Sequence, residues 1–146
     1  ALGNGLRGLK NLDTLWVAEN QISSLDGLAH APALTELNAA RNRLTSAIRA
    51  FDGNPLIKSI NLSDNRIGSF KEVLDLARCR PLRELCYADP DWGENPICLL
   101  CNYQTYALYH LPQLEVLDKM RVGEDEHLAA QAAFSKKRLY YSMRMK

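Results

Sequence analysis

The most constraining feature of this chain is a short apolar pattern that recurs at a fixed spacing. Copies begin at Leu12, Leu34, Ile57 and Leu82, and in the first three an asparagine follows eight residues later. These asparagines, Asn20, Asn42 and Asn65, lie 22 and 23 residues apart. Repetition at this period is typical of solenoids, in which each unit buries its apolar face only by stacking on its neighbours.

Each copy predicts a short strand followed by a return segment. Leu15 and Val17 flank Trp16, and this alternation with period two indicates a strand with inward apolar side chains. Ser69 and Glu72 match a capping box, which predicts a helix in the third return segment. The fold class is therefore α/β: a right-handed solenoid with short parallel strands on a concave face, helical or 3-10 segments on the convex face, and a C-terminal helical cap.

The recurring asparagines predict a ladder of buried amides that bond main-chain groups of their own and neighbouring turns. Its members are Asn20, Asn42, Asn65 and Asn95. Asn95 follows Leu85 by ten residues, whereas Asn20 follows Leu15 by five. The extra residues contain proline and glycine and predict an ordered turn. Trp92, within that turn, either folds back as a plug or presents a contact surface.

The C-terminal third departs from the repeat. Residues 95–118 predict a cap made of a helical stretch and a last strand, which ends a solenoid domain spanning 1–118. Residues 119–146 predict one helix, with acids in its first turn and bases farther along. The end of this helix is either a solvated basic end or is packed on the cap or on a partner. The apolar residues expected to contact the last repeat are Leu128, Ala132 and Leu139.

The register over 2–97 and the cap over 95–118 resemble the leucine-rich-repeat family, in its 22-residue class with a C-terminal cap. That class includes axonemal dynein light chain one, the A-prime protein of the U2 spliceosomal particle and a regulatory subunit of protein phosphatase one. The stretches Asp89-Pro90, 95–103 and 109–112 also resemble the group of leucine-rich-repeat-containing protein nine, which is linked to cilia. The resemblance implies a binding scaffold and supplies no functional residue.

The sequence predicts no enzyme, no cofactor and no metal site. Cys98 and Cys101 form a CxxC, but Cys79 and Cys86 are wrongly spaced for a four-thiolate zinc site. The glycines between 3 and 8 match GxGxxG, yet no strand precedes them, as a nucleotide-binding turn requires.

Outward residues of the strands and of the following turns predict a partner-binding concave face. Trp16 and Arg41 lead this prediction, because aromatic residues and arginine dominate binding hot spots. Alternatively, Trp16 packs on a preceding repeat. The predicted partner-binding residues are Trp16, Glu19, Glu36, Asn38, Arg41, Asn61, Asp64 and Glu84.

We therefore expect a protein–protein interaction scaffold, with a ribonucleoprotein component or a phosphatase regulatory subunit as alternatives. The net charge of +1 gives no reason to expect direct nucleic-acid or membrane binding. We expect a cytoplasmic location, in a cytoskeletal or ciliary setting by resemblance, with the nucleus left open. Because the chain opens within a repeat, it is expected to be a monomer or a fragment of a longer protein.

Overall fold

The computed structural model describes residues 2–144, without the side chains of Leu139 and Arg144. Within these residues one sheet has six strands, in spatial order β1 Thr14–Trp16, β2 Glu36–Asn38, β3 Ser59–Asn61, β4 Glu84–Cys86, β7 Val116–Leu117 and β8 Met120–Arg121; β5 Ala88–Asp89 and β6 Gly93–Glu94 form a separate hairpin. Every neighbouring pair in this sheet is parallel except β7 and β8, which form an antiparallel hairpin.

The register confirms the solenoid predicted from the repeat. Leu15, Leu37, Ile60 and Leu85 lie side by side on successive strands. The last three are about 1% exposed and belong to one continuous core. Leu15 is only partly buried, because β1 is the edge strand of the sheet. A row of aliphatic side chains, one from each turn, therefore holds the stack together.

Helical segments occupy several of the returns. They are a 3-10 turn at Leu28–His30, α1 at Lys71–Leu76, a second 3-10 turn at Pro96–Leu99, α2 at Tyr103–His110 and α3 at Glu124–Arg144. Helix α1 is the predicted helix, but the predicted capping box is wrong. The Ser69 hydroxyl accepts from the Lys71 N–H, at 3.1 Å. Glu72 instead accepts from the Ala47 N–H and the Ser46 hydroxyl of the preceding turn, both at 2.7 Å.

The interior ladder asparagines bond the main chain of two turns at once, whereas Asn20 is exposed and its side chain donates only to carbonyls of its own turn, so the prediction of Asn20 as a buried member is wrong. Asn42 Oδ1 accepts from the N–H of Ile22 at 3.1 Å, and its Nδ2 donates to the carbonyls of Val17 and Ala39. Asn65 repeats this arrangement one turn later. Each buried amide thus satisfies polar groups that the sharp turn leaves without a strand partner.

Asn95 takes the next place in this ladder despite its longer spacing. Its Oδ1 accepts from the Ile67 N–H at 3.0 Å, and its Nδ2 donates to the carbonyls of Leu62 and Tyr87. The additional residues fold out as a separate antiparallel hairpin, β5 Ala88–Asp89 and β6 Gly93–Glu94. The insertion therefore leaves the stack in register.

Asp118 takes the position after Asn95 in the ladder and supplies a carboxylate where the earlier turns have an asparagine amide. Its Oδ1 accepts from the N–H groups of Tyr87 and Ala88, at 2.8 and 3.1 Å, and its Oδ2 accepts from the Tyr103 hydroxyl at 2.8 Å. Burial raises the pKa of Asp118, and the three hydrogen bonds oppose that rise. The last strand is thereby tied to β4 and to α2.

Helix α3 packs against α2 through aromatic rings. Phe134 stacks on Tyr109 at 3.9 Å and on Tyr141 at 4.8 Å between ring centroids. Ala130 and Tyr141 are buried, whereas the predicted contact residues Leu128 and Ala132 are exposed. This part of the prediction is wrong, because the face at Ala130, Phe134 and Tyr141 is the one that meets the rings of α2. The Leu139 side chain lies outside the described residues.

Candidate functional site: the concave face of the sheet

The concave face is formed by the outward residues of the four parallel strands that the repeat creates. The register aligns two columns across β1 to β4. One column is Thr14, Glu36, Ser59 and Glu84, and the other is Trp16, Asn38, Asn61 and Cys86. The structure therefore brings together five of the eight predicted partner-binding residues on one surface.

Trp16 is the most exposed aromatic residue of this face. Its side chain is 68% accessible, and its indole Nε1 donates to Glu36 Oε2 at 2.8 Å. The bond crosses from β1 to β2 and fixes the direction of the ring. A large apolar surface is thus held in solvent in a defined orientation, which is the property expected of a contact residue.

Asn38 and Asn61 lie on the concave face but do not project from it, so the expectation that they are exposed is wrong. They are 8% and 9% accessible. Asn38 Oδ1 accepts from the Ala40 N–H at 3.1 Å, and Asn61 Oδ1 accepts from the Ser63 N–H at 3.0 Å. A short amide at the end of a strand folds back onto the turn that follows, and here it forms the floor of the face.

Glu19, Arg41 and Asp64 occupy the turns and share a backbone conformation. Each stands immediately before a ladder asparagine, with φ of 59°, 53° and 54°. Arg41 lies between the two acids, with Nε 3.1 Å from Asp64 Oδ2 and Nη1 3.8 Å from Glu19 Oε2. Its cation is therefore already paired within the face, and its role as a binding hot spot stays a prediction.

The hairpin of β5 and β6 folds back toward Arg41. Arg41 Nη2 donates to the carbonyl of Trp92 at 2.9 Å, and the guanidinium carbon lies 5.1 Å from the centroid of the Trp92 ring. Gly93 has φ of 132°, and a β-carbon there would approach Asp64 Cγ to 3.1 Å. Trp92 is half-buried against Arg41, so it is not a core plug, and its remaining surface faces the concave side of the sheet.

A groove of about 580 Å³ lies between the strands and this hairpin. Both tryptophans line it, together with four carboxylates and one ammonium group. The ammonium of Lys119 lies 3.7 Å from Asp89 Oδ2, which leaves the other acids without a cation from the lining. The carboxylates belong to Glu36, Glu84, Asp89 and Asp91.

Lys119, Asp91 and Trp92 are site residues that the repeat register did not assign to the concave face. Lys119 follows β7 and reaches the groove from the turn between β7 and β8. Asp91 and Trp92 reach it through the inserted hairpin. The irregular spacing before Asn95 was the only sequence signal for this contribution, and it did not indicate a direction.

Residues 2–144 contain no group of three or more His, Cys, Asp and Glu side chains placed to hold a metal ion. Burial raises the pKa of Cys79 and Cys98 to about 11 and that of Cys86 to about 12, so these three thiols are protonated near neutral pH. The glycines between 3 and 8 lie in turns. Across residues 2–144, no helix combines the length and apolar character that crossing a membrane requires.

The sequence of this chain is similar to one known family and to several known proteins. The leucine-rich-repeat family matches residues 2–144. A probable U2 small nuclear ribonucleoprotein A' of Drosophila melanogaster is 28% identical over 130 residues, covering 88% of this chain and 47% of the relative. The corresponding protein of Mycosarcoma maydis is 30% identical over 138 residues, covering 86% and 54%. The chain thus spans about half the length of these relatives.

Solved structures support the same fold. A chain of the Drosophila melanogaster SNF/U2A' complex superposes with a TM-score of 0.79 at 26% identity, covering 94% of this chain and 77% of that one. An internalin of Listeria monocytogenes superposes with a TM-score of 0.60 at 20% identity, covering 79% of this chain and 30% of that one, which shows a shared fold alone.

Proposed function

Because this chain belongs to the leucine-rich-repeat family, we propose that it is an interaction module that binds a protein partner on its concave face. The observation that carries the proposal is Trp16, whose indole is 68% exposed yet held by Glu36 beside the groove. A non-enzymatic scaffold agrees with the family. The partner-binding residues are Trp16, Glu36 and Glu84, with Asn38 and Asn61 as the floor and Arg41, Glu19 and Asp64 as the support of the hairpin.

The test is partner capture followed by affinity measurement. A partner identified by mass spectrometry is titrated by calorimetry against the wild-type chain and against Trp16→Ala. We expect a loss of about 2 kcal/mol or more, as at a hot spot. The control is Leu128→Ala on α3, which removes another exposed apolar side chain, 53% accessible, away from the concave face. Equal affinity of wild type and Trp16→Ala contradicts the proposal.

A second candidate is a component of a ribonucleoprotein particle, which the relatives favour. Two of them are named U2 small nuclear ribonucleoprotein A', and the matched chain belongs to the SNF/U2A' complex. In such a particle this chain would contact protein, because the carboxylates of the groove repel phosphate. A nuclear location accompanies this candidate. The ciliary, cytoskeletal and phosphatase settings rest on the sequence resemblance alone.

Salt-dependent gel shifts with RNA test this candidate directly. We expect no shift with the isolated chain, and a shift only when a captured protein partner is present. A direct RNA complex that weakens steeply with salt would instead indicate contacts with phosphates.

A further inference from the structure

The floor of the groove contains two amide groups that use only part of their hydrogen-bonding capacity. Asn38 and Asn61 are more than nine-tenths buried, and their Oδ1 atoms are held by main-chain N–H groups that can only donate. Each Nδ2 is therefore directed away from that bond. Neither Nδ2 has a hydrogen-bond acceptor among residues 2–144, and both side chains line the groove.

Two such donors side by side indicate the chemistry of an occupant. Asn38 and Asn61 are register partners on adjacent strands, and adjacent strands lie about 4.8 Å apart. Among residues 2–144 only Asn54 Oδ1 is a fully buried side-chain polar atom without a hydrogen bond, so both Nδ2 groups reach the solvent of the groove. An occupant that supplies oxygen atoms can replace the water that these two donors would otherwise bind. Main-chain carbonyls fit, provided that they are free, as in an extended segment or the last turn of a helix.

The charged and aromatic side chains that line the groove favour a cationic occupant. Glu36, Glu84 and Asp91 supply carboxylates that have no cationic partner in the lining, and Trp16 supplies an aromatic face. A guanidinium already packs on Trp92, whereas no cation lies over the Trp16 ring within the described part of the chain. Carboxylates beside an indole are the surroundings that bind a lysine or arginine side chain.

We infer that the groove takes a basic peptide segment of the protein partner. Its free main-chain carbonyls accept from Asn38 and Asn61 Nδ2, and its arginine or lysine side chain lies against Trp16 and pairs with Glu36 or Glu84. This inference rests on the proposed function and specifies the chemistry of the partner at the same face.

The test uses a defined probe and nuclear magnetic resonance. The isotope-labelled chain is titrated with the peptide acetyl-Ala-Arg-Ala-Ala-Arg-Ala-amide, and the control peptide carries citrulline, which is uncharged and nearly isosteric, in place of arginine. We expect the side-chain amide signals of Asn38 and Asn61 and the indole signal of Trp16 to shift. Affinity for the citrulline peptide should be about tenfold lower, as for loss of a charge-assisted hydrogen bond.

Two variants test whether the carboxylates that bind the arginine peptide are those of the groove. Glu36→Gln should weaken binding of the arginine peptide by about threefold, the effect of one partly exposed ion pair. Glu124→Gln, which removes a carboxylate at the start of α3, should leave the affinity unchanged. Shifts of equal size with both peptides, or shifts that avoid Asn38, Asn61 and Trp16, overturn the inference.

The outcomes separate this inference from the proposed function. Suppose that a natural partner binds in a Trp16-dependent way while the arginine peptide leaves the groove signals unchanged. The interaction module then stands and the basic-segment chemistry is wrong. Conversely, groove binding of the peptide together with a natural partner that ignores Trp16→Ala supports the basic site and contradicts the proposed role of this face in holding that partner.

Discussion

The carboxylate of Glu72 accepts a hydrogen bond from the main-chain N–H of Ala47, 2.7 Å away, and so ties helix α1 to the preceding turn. A second bond from the Ser46 hydroxyl, also at 2.7 Å, fixes the other oxygen. Glu72 is buried, although it stands in a capping-box pattern, in which the glutamate usually bonds a main-chain N–H at the start of its own helix. Contacts between turns thus compete successfully with local capping.

Replacing Glu72 by alanine should destabilise the fold strongly. The change leaves the Ala47 N–H and the Ser46 hydroxyl without their acceptor, and we expect the free energy of unfolding to fall by about 2–4 kcal/mol. Urea denaturation followed by circular dichroism measures it. Glu72→Gln keeps one oxygen acceptor and should cost clearly less. Equal losses for the two variants would contradict the assigned role of the oxygen at Ala47.

The asparagine ladder predicts a difference between its interior and its first member. Asn65 is buried and bonds two turns, whereas Asn20 is exposed and its side chain donates only to carbonyls of its own turn. Asn65→Ala should lower the free energy of unfolding by about 3 kcal/mol, because a buried N–H and buried carbonyls lose their partners. Asn20→Ala should cost less than about 1 kcal/mol, since water replaces its bonds. Thermal or urea unfolding of both variants compares the two positions, and similar losses would refute the ladder's dependence on burial.

Asp118 predicts a pH-dependent contribution with a defined sign. Burial raises its pKa in the folded state above the ordinary value of 3.8, so the folded chain holds this proton at pH values where the unfolded chain has released it. The resulting stabilisation is complete below about pH 4 and is lost as the pH rises through the folded pKa. The advantage of wild type over Asp118→Asn should therefore be larger at pH 4 than at pH 7. Urea titrations of both proteins across this range measure the difference, and a constant difference would argue against the raised pKa.

Arg41 should act on the hairpin rather than on global stability. Its pairs with Glu19 and Asp64 are partly exposed, and such pairs contribute about 0–1 kcal/mol each. Arg41→Ala should therefore change the unfolding midpoint little, while amide exchange of residues 89–94 becomes faster because the hydrogen bond to the Trp92 carbonyl is lost. Arg41→Lys keeps the charge without the planar fork and should restore exchange protection only partly. Unchanged exchange in Arg41→Ala would show that the hairpin holds its place without Arg41.

The stack itself was predictable from the sequence because its signal is local and repeated. Leu15, Leu37, Ile60 and Leu85 are recognisable by alternation within three residues, and the asparagines by their spacing. Trp16 lies between two inward residues on a strand and is exposed among the described residues, which agrees with one of the two alternatives for it.

Exposure within the concave face was less predictable. Asn38 and Trp16 occupy the same column, yet one is 8% accessible and the other 68%. The difference arises because a short amide reaches the N–H of Ala40, whereas a bulky indole at the edge strand cannot fold back in that way. Register assigns a direction to a side chain but not the bonds that it makes.

The sequence by itself determined the turns of the solenoid, their order and the apolar row between them, because burial of alternating side chains needs only the local pattern and stacking of like units. The tertiary structure alone decided that Glu72 bonds Ala47, that Asp118 closes the ladder and that Trp92 lies over Arg41. Those partners are separated by 25 to 51 residues along the chain, and no local pattern encodes which polar groups meet when separate turns and an inserted hairpin pack together.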